Sequence, residues 1–144
     1  MLFRSEELFE IIQKKFSQTA PSTTFDIDPK GCFSETLNNL QSNLALAILT
    51  NLIQNAIDAR NGVSISLSCR KSDSYIEIDI SDNGSGIPPV VKNCLFEPVV
   101  SKKGGSGIGL ALSQQLAESM GAKLILIHSD QTGTSFRLSI PYNS

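Results

Sequence analysis

Asp82 closes a run in which Ile76, Ile78 and Ile80 alternate with Glu77, Asp79 and Ser81. Counting back by twos therefore places this carboxylate on the apolar face of a half-buried strand. Gly84 and Gly86 follow at once and permit positive backbone dihedrals and close approach of another group, while Pro88 and Pro89 stop the strand. The alternative is an Asp-Asn-Gly turn whose acid caps its own backbone. A second set, Asn51, Asn55 and Asp58, is spaced four and three apart and stacks as a polar stripe on a helix whose other face is Leu49, Leu52, Ile53, Ala56 and Ile57. Asparagine is a poor helix former that competes for backbone hydrogen bonds, so two of them mid-helix need a reason. A surface stripe ending at Asn61-Gly62 is the alternative here. A third set, Gly105, Gly107 and Gly109, removes side chains where a helix begins, so that backbone N–H groups and the positive end of the helix dipole can meet phosphate oxygens. Thr134 points inward from a last strand. Together these groups suit a nucleotide, although neither the G-x-G-x-x-G nor the G-x-x-x-x-G-K-[ST] pattern fits.

The elements that must position these groups can be read from periodicity. Residues Ser5 to Phe16 carry Leu8, Phe9, Ile11, Ile12 and Phe16 at helical spacing, an amphipathic helix ending near Thr19-Ala20-Pro21. It packs either on this domain or on another segment. Thr23 to Asp28, bounded by prolines, reads as a short edge strand, with Gly31 to Ser34 returning beside it. From Leu40 to Arg60 runs the longest helix. Between Thr36 and Ala59 its only charged residue is Asp58, which predicts burial on most sides. Val63, Ile65, Leu67 and Cys69 alternate with serines and pair as a hairpin with the strand that delivers Asp82. The apolar knot Leu95-Phe96-Glu97-Pro98-Val99-Val100, followed by Lys102, Lys103 and the glycines, has the hydrophobic anchor and hinge of a movable lid. Ile108, Leu112, Leu116 and Met120 at four-residue steps predict another helix, closed by Gly121. Lys123 to Ser129 and Thr134 to Ile140 complete the chain as paired strands.

A chain of 144 residues is about one domain. Twelve basic and fourteen acidic residues, interspersed, give a net charge of -2, which leaves no electrostatic footprint for nucleic acid or an anionic membrane. Three cysteines without C-x-x-C spacing, and a single histidine, indicate neither a disulfide framework nor a zinc site. The expectation is a cytosolic protein with reduced thiols and neither signal peptide nor membrane span.

Four ordered motifs carry a family resemblance. Asn51-Leu-Ile-Gln-Asn55-Ala-Ile-Asp-Ala59, Asp82-Asn-Gly84-Ser-Gly86-Ile87-Pro88, Leu95-Phe96-Glu97-Pro98 and Gly105-Ser106-Gly107-Ile108-Gly109-Leu110 resemble the N box, first glycine box, F box and second glycine box of the ATP-binding catalytic domain of sensor histidine kinases. That superfamily is shared with gyrase, the heat-shock chaperone ATPase and mismatch-repair ATPases. The resemblance spans roughly Gln41 to Pro141, and Gly133-Thr134 with Phe136 is similar to the family's short closing motif beside the adenine pocket. It implies an α/β (α+β) two-layer sandwich of the Bergerat type, with a mixed, mostly antiparallel sheet, helices on one face and an ATP lid. Residues 1–20 would be an N-terminal helix or linker and 21–144 the ATP-binding catalytic domain.

Position by position, the resemblance implies that Asn55 ligates Mg²⁺, that Asp82 accepts the adenine amine, and that Lys102 or Lys103 is the lid's phosphate contact. It further places Asp58, Ala59, Gly84, Gly86, Ile87, Phe96, Gly105, Ser106, Gly107, Ile108, Gly109, Leu110 and Thr134 around ATP. Asn51 stands where hydrolysing members carry a glutamate base, and an amide cannot take a proton at neutral pH. Transfer to a protein acceptor therefore fits better than hydrolysis, and Asn51 and Asn55 are the catalytic candidates. Val99-Val100 replace the aromatic pair often found after the Phe-Glu-Pro run. The implied partners are phosphoacceptor histidine helices of the same kinase and a downstream response regulator, with no nucleic acid and no membrane contact by this domain. The implied location is cytoplasmic, including the cytosolic part of a membrane-bound sensor. His128, in a strand without an acidic neighbour, reads as an ordinary sheet histidine and not as the acceptor. An anti-sigma-factor serine kinase and a non-catalytic nucleotide-sensing module share the boxes and remain the alternatives.

Overall fold

The computed structural model describes residues 3–28, 36–60, 62–72, 74–84, 86 and 106–141. In chain order these form β1 (Phe3–Arg4), α1 (Ser5–Thr19), β2 (Thr24–Asp28), β3 (Thr36–Leu37), α2 (Asn39–Ala59), β4 (Ser64–Lys71), β5 (Tyr75–Asp82), α3 (Ser106–Ser119), β6 (Lys123–Asp130) and β7 (Gly133–Pro141). Five strands make one sheet in the order β2-β4-β5-β7-β6, while β1 and β3 pair separately as a small antiparallel ribbon. Only β2 and β4 run parallel; the other three pairings are antiparallel. The expected edge strand is therefore an edge strand, and the sheet is mixed and mostly antiparallel. Residues 31–34, expected to return beside it, lie outside the described residues.

Alternation decides which face of the sheet is covered. Ile65, Leu67 and Cys69 of β4, Ile76, Ile78 and Ile80 of β5, and Phe136, Leu138 and Ile140 of β7 are buried in one cluster with residues of α1, α2 and α3. Their neighbours in sequence, Glu77, Asp79 and Arg137, face the other way, where the Arg137 guanidinium Nε donates to Asp79 Oδ1 at 2.8 Å. Helices thus cover a single face, as a two-layer sandwich requires.

The longest helix owes its start to a capping box. Asn38 Oδ1 accepts from the Gln41 backbone N–H at 2.8 Å, and Gln41 Oε1 accepts from the Asn38 N–H at 3.1 Å, which satisfies two amides that have no partner within the helix. Gln41 also reaches across to donate from Nε2 to the Pro141 carbonyl at 2.6 Å, pinning the start of α2 to the last strand. The amphipathic first helix packs on this domain: Leu8, Phe9, Ile12 and Phe16 are each 1% exposed or less and belong to the common core.

The helix expected from Ile108, Leu112, Leu116 and Met120 is α3, with Gly121 at positive φ just beyond it. Leu116 and Met120 pack partly buried against the core, whereas Leu112 is 48% exposed. The buried positions are Leu110, Ala111, Ser113 and Ala117, whose mostly small side chains allow close packing against α2.

Candidate nucleotide-binding site

Asp82 ends the central strand on its inner face. The register places Phe25, Ile65, Asp82, Thr134 and Ser129 side by side across all five strands. In β5, β7 and β6 this row is polar where the rows before it are apolar, while Ile65 of β4 stays in the core. Asp82 Oδ1 accepts from the Gly84 N–H at 2.8 Å, and Thr134 Oγ1 shares a hydrogen bond with Ser129 Oγ at 3.1 Å. Burial pushes the Asp82 carboxyl above its ordinary range, and the backbone amides of Gly84 and Thr134 offset only part of that. An inward carboxylate held by amides, with no basic side chain of the described residues among the causes of its shift, keeps acceptor capacity for an amine donor.

Glycine is required around this carboxylate. At Gly133 φ is +147°, and a Cβ there would overlap the Asp82 carbonyl oxygen, so any side chain would prise β7 from β5 where Asp82 pairs with Thr134. Gly86, at φ +86°, lies in the same way against the Asp130 carbonyl. The loop after β5 and the β6–β7 turn are therefore packed backbone to backbone.

The helical stripe divides into three environments. Asn51 Nδ2 donates to the fully buried Ser113 Oγ at 3.1 Å and ties α2 to α3. Asn55 is half-buried, and its Nδ2 is buried without a hydrogen-bond partner among the described residues. Thr23 Oγ1 and Gln114 Oε1 are unpaired in the same sense, and the Asn55 NH2 is a donor that an acceptor oxygen, not a cation, would satisfy. The Asn55 oxygen is a hard donor of the kind Mg²⁺ accepts from proteins, so the residue fits the metal role. Asp58 and Ala59 are exposed at the end of α2, where Asp58 Oδ1 accepts from Gln54 Nε2 at 2.9 Å. Ser106, Gly107, Ile108 and Gly109 form the first turn of α3, and Leu110 is buried just behind them. Ile87, Phe96, Lys102, Lys103 and Gly105 lie outside the described residues.

His128 does have an acidic neighbour, contrary to expectation. A bulge between Leu126 and His128 shifts the register of β6, so His128 is not inward with Leu124 and Leu126. Its side chain is 53% exposed, and Nε2 lies 2.9 Å from Asp130 Oδ2. Asp130 is held below the usual carboxylate range by the Thr132 hydroxyl and amide first, with His128 contributing. The same shift brings Ser129 in beside Thr134, a site residue that simple alternation does not find. Ser113 and Arg60 also escape sequence reading; the first is one small polar residue in an apolar stripe, the second a cation at a helix end.

The polar row at the end of the central strands, with Asn55 on the helix above, is the candidate ligand site of this two-layer sandwich. The fold is shared with the ATP-binding domain of PrrB from Mycobacterium tuberculosis, at a TM-score of 0.78 and 24% identity, covering 100% of this chain and 98% of that one. Full-length ShkA in complex with AMPPNP matches at a TM-score of 0.77 and 20% identity, over 99% of this chain and 31% of that one. Residues 41–144 match the Histidine kinase-, DNA gyrase B-, and HSP90-like ATPase family, and the chain belongs to it. Among curated relatives, the sensor protein CitS of Halalkalibacterium halodurans is 33% identical over 125 residues, 81% of this chain. The chain spans 23% of the length of that relative. No helix among the described residues is long and apolar enough to cross a membrane.

Proposed function

We propose that this chain is the ATP-binding catalytic domain of a sensor histidine kinase, which binds Mg·ATP and passes the γ-phosphoryl group to a histidine on a separate helical domain. The observation that carries this reading is Asp82, an inward carboxylate at the polar end of the central strand whose hydrogen bonds come from backbone amides. This carboxylate would accept the adenine amine. Thr134 and Ser129 border the base beside it, and the glycine-rich first turn of α3 offers N–H groups to the phosphates. Asn55 would hold Mg²⁺, which when bound neutralises phosphate charge and orients the transferred group. The lid contacts assigned to Phe96, Lys102, Lys103 and Gly105, with Ile87 before them, belong to the same proposal.

Asn51 supports transfer over hydrolysis. Its amide nitrogen is engaged with Ser113 and its side chain has no proton-accepting function at neutral pH, so no general base for water stands at that position. The acceptor histidine and the response regulator are then partners of the kinase, and the domain works in the cytosol. The sensor-kinase relatives favour this reading over a serine kinase or a silent nucleotide sensor.

The test is direct. Calorimetric titration with ATP should show binding that is strengthened by Mg²⁺. Labelled ATP should leave no acid-labile phosphate on the isolated chain but should label a histidine once the cognate helical domain is added. Stable label on His128 in the chain alone would overturn the assignment of the acceptor.

A further inference from the structure

We infer that Arg60 is a positioning residue for adenine recognition, acting through Asn83 on the Asp82 carboxylate. The inference rests on the adenine role proposed for Asp82. Arg60 caps the C-terminal end of α2, its own N–H donating to the Ala56 carbonyl at 3.1 Å. Its Nη1 crosses to the other layer and donates to the Asn83 carbonyl at 2.5 Å. The ladder between β5 and β7 stops at Asp82 opposite Thr134, so the next peptide has left that pairing. On its other side Asn83 is fixed to β4: its N–H donates to the Ser64 carbonyl at 3.2 Å, and its Oδ1 accepts from the Ser64 N–H at 2.8 Å. Arg60 supplies the remaining hold on the peptide linking Asp82 to the Gly84 amide that orients its carboxylate.

The contact also joins the two halves of the site. Arg60 lies on the helix that carries Asn55, and Asn83 lies on the loop that carries Asp82. One guanidinium therefore sets the base-reading acid in register with the phosphate-side helix. Arg60 and Asn83 are exposed, so solvent weakens the contact, but a charged donor to a carbonyl still exceeds a neutral one, and the single bond asks for a cation within reach more than for the guanidinium fork.

The experiment is a double-mutant cycle on the full chain, reading ATP and GTP affinity by competition, with circular dichroism and thermal melting as folding controls. R60M should weaken ATP by about three- to tenfold while leaving GTP almost unchanged, a loss typical of one hydrogen bond. R60K should recover most of it. In a D82N background the same R60M change should have less than about a twofold effect, because residues acting through one group are not additive. Equal weakening of ATP and GTP, or full additivity with D82N, would overturn the inference and leave Arg60 a helix-end residue. If D82N alone fails to weaken ATP, the adenine assignment itself falls, and that outcome is distinguishable from the others.

Discussion

Replacing Asp82 by asparagine separates what this residue does for binding from what it does for stability. Asparagine keeps an oxygen that can accept the Gly84 N–H, at 2.8 Å in the native chain, and it keeps the size of the side chain. It removes the charge. Toward ATP the loss is a charge-assisted hydrogen bond to the adenine amine, about 1.5–3 kcal/mol, or roughly tenfold to a hundredfold in affinity. Guanine presents a carbonyl at that position, and an amide can turn its donor toward it, so preference for ATP over GTP should collapse along with affinity.

Toward stability the sign is opposite. Burial raises the Asp82 carboxyl above 3.8, its ordinary value, so the folded protein holds this proton more tightly than the unfolded chain does. Wild-type stability therefore falls as pH rises from that ordinary value through the folded one, and the deficit is complete above it. Asparagine has no such deficit. The melting temperature of Asp82→Asn relative to wild type should be flat at low pH, climb across that window, and stay level or higher at neutral pH. Competition binding of ATP and GTP together with melting curves at a series of pH values reads both effects. A variant that still prefers ATP, or whose relative stability falls across the window, would show Asp82 to be a turn-capping acid only.

Asn55→Ala should weaken Mg·ATP far more than metal-free nucleotide by calorimetry. It should also melt no lower than wild type, because it removes a buried amide with no partner among the described residues and introduces a better helix former. Gly133→Ala should destabilise by at least ~1–3 kcal/mol in denaturant unfolding, since it combines a disfavoured φ with overlap on the Asp82 carbonyl. Phe16→Ala should cost about 3–5 kcal/mol, the usual penalty for emptying an aromatic site in a closed core; a loss under ~1 kcal/mol would mean that α1 is an appendage and not part of the folding unit.

Much of the fold was legible because its signals are local. The Ile76-Ile78-Ile80 alternation needs only period two to declare a face, and the Leu40–Arg60 stretch declares a helix, although the burial on most sides expected from its lack of charge is not found: Leu40 is 60% exposed, and Asn43, Ala47 and Gln54 are exposed with it. Motif spacing made the inward Asp82 and the Asn51–Asn55 pair visible. What stayed hidden depends on partners distant in sequence. A one-residue bulge in β6 cannot be seen in Leu124-Ile-Leu-Ile-His128, yet it decides that Ser129 and not His128 joins the row of Asp82 and Thr134. The buried stripe of α3 is hidden for a similar reason: Leu112 has the higher hydropathy yet is exposed, while Ser113 and Ala117 are buried and Ser113 accepts from Asn51 of α2. The glycine at 133 reads as a turn residue in sequence, and only the sheet register shows that the Asp82 carbonyl occupies the place of its side chain.

The location of the site follows from where the apolar pattern of β5 ends and where α2 carries its polar stripe. Along β5 the inner face runs Ile76, Ile78, Ile80 and then Asp82; along α2 Asn51 and Asn55 are half-buried on a polar stripe of their own, away from the buried face of Leu49, Leu52, Ile53 and Ala56. Each placement taken alone would lower stability, because it partly buries a carboxylate or an amide where an aliphatic side chain would add to the core. Arg60 at the end of α2 touches Asn83 at the end of β5, so both polar segments lie toward the same end of the sandwich. A domain under selection for stability alone would have continued the aliphatic stripe of β5 to that end. The coincidence of a partly desolvated Asp82, an Asn55 amide unpaired among the described residues and glycines that keep the backbones in contact is what a ligand would have to compensate. The two residues whose replacement should cost least in the absence of nucleotide, Asp82 and Asn55, are accordingly the two whose replacement should cost most in its presence.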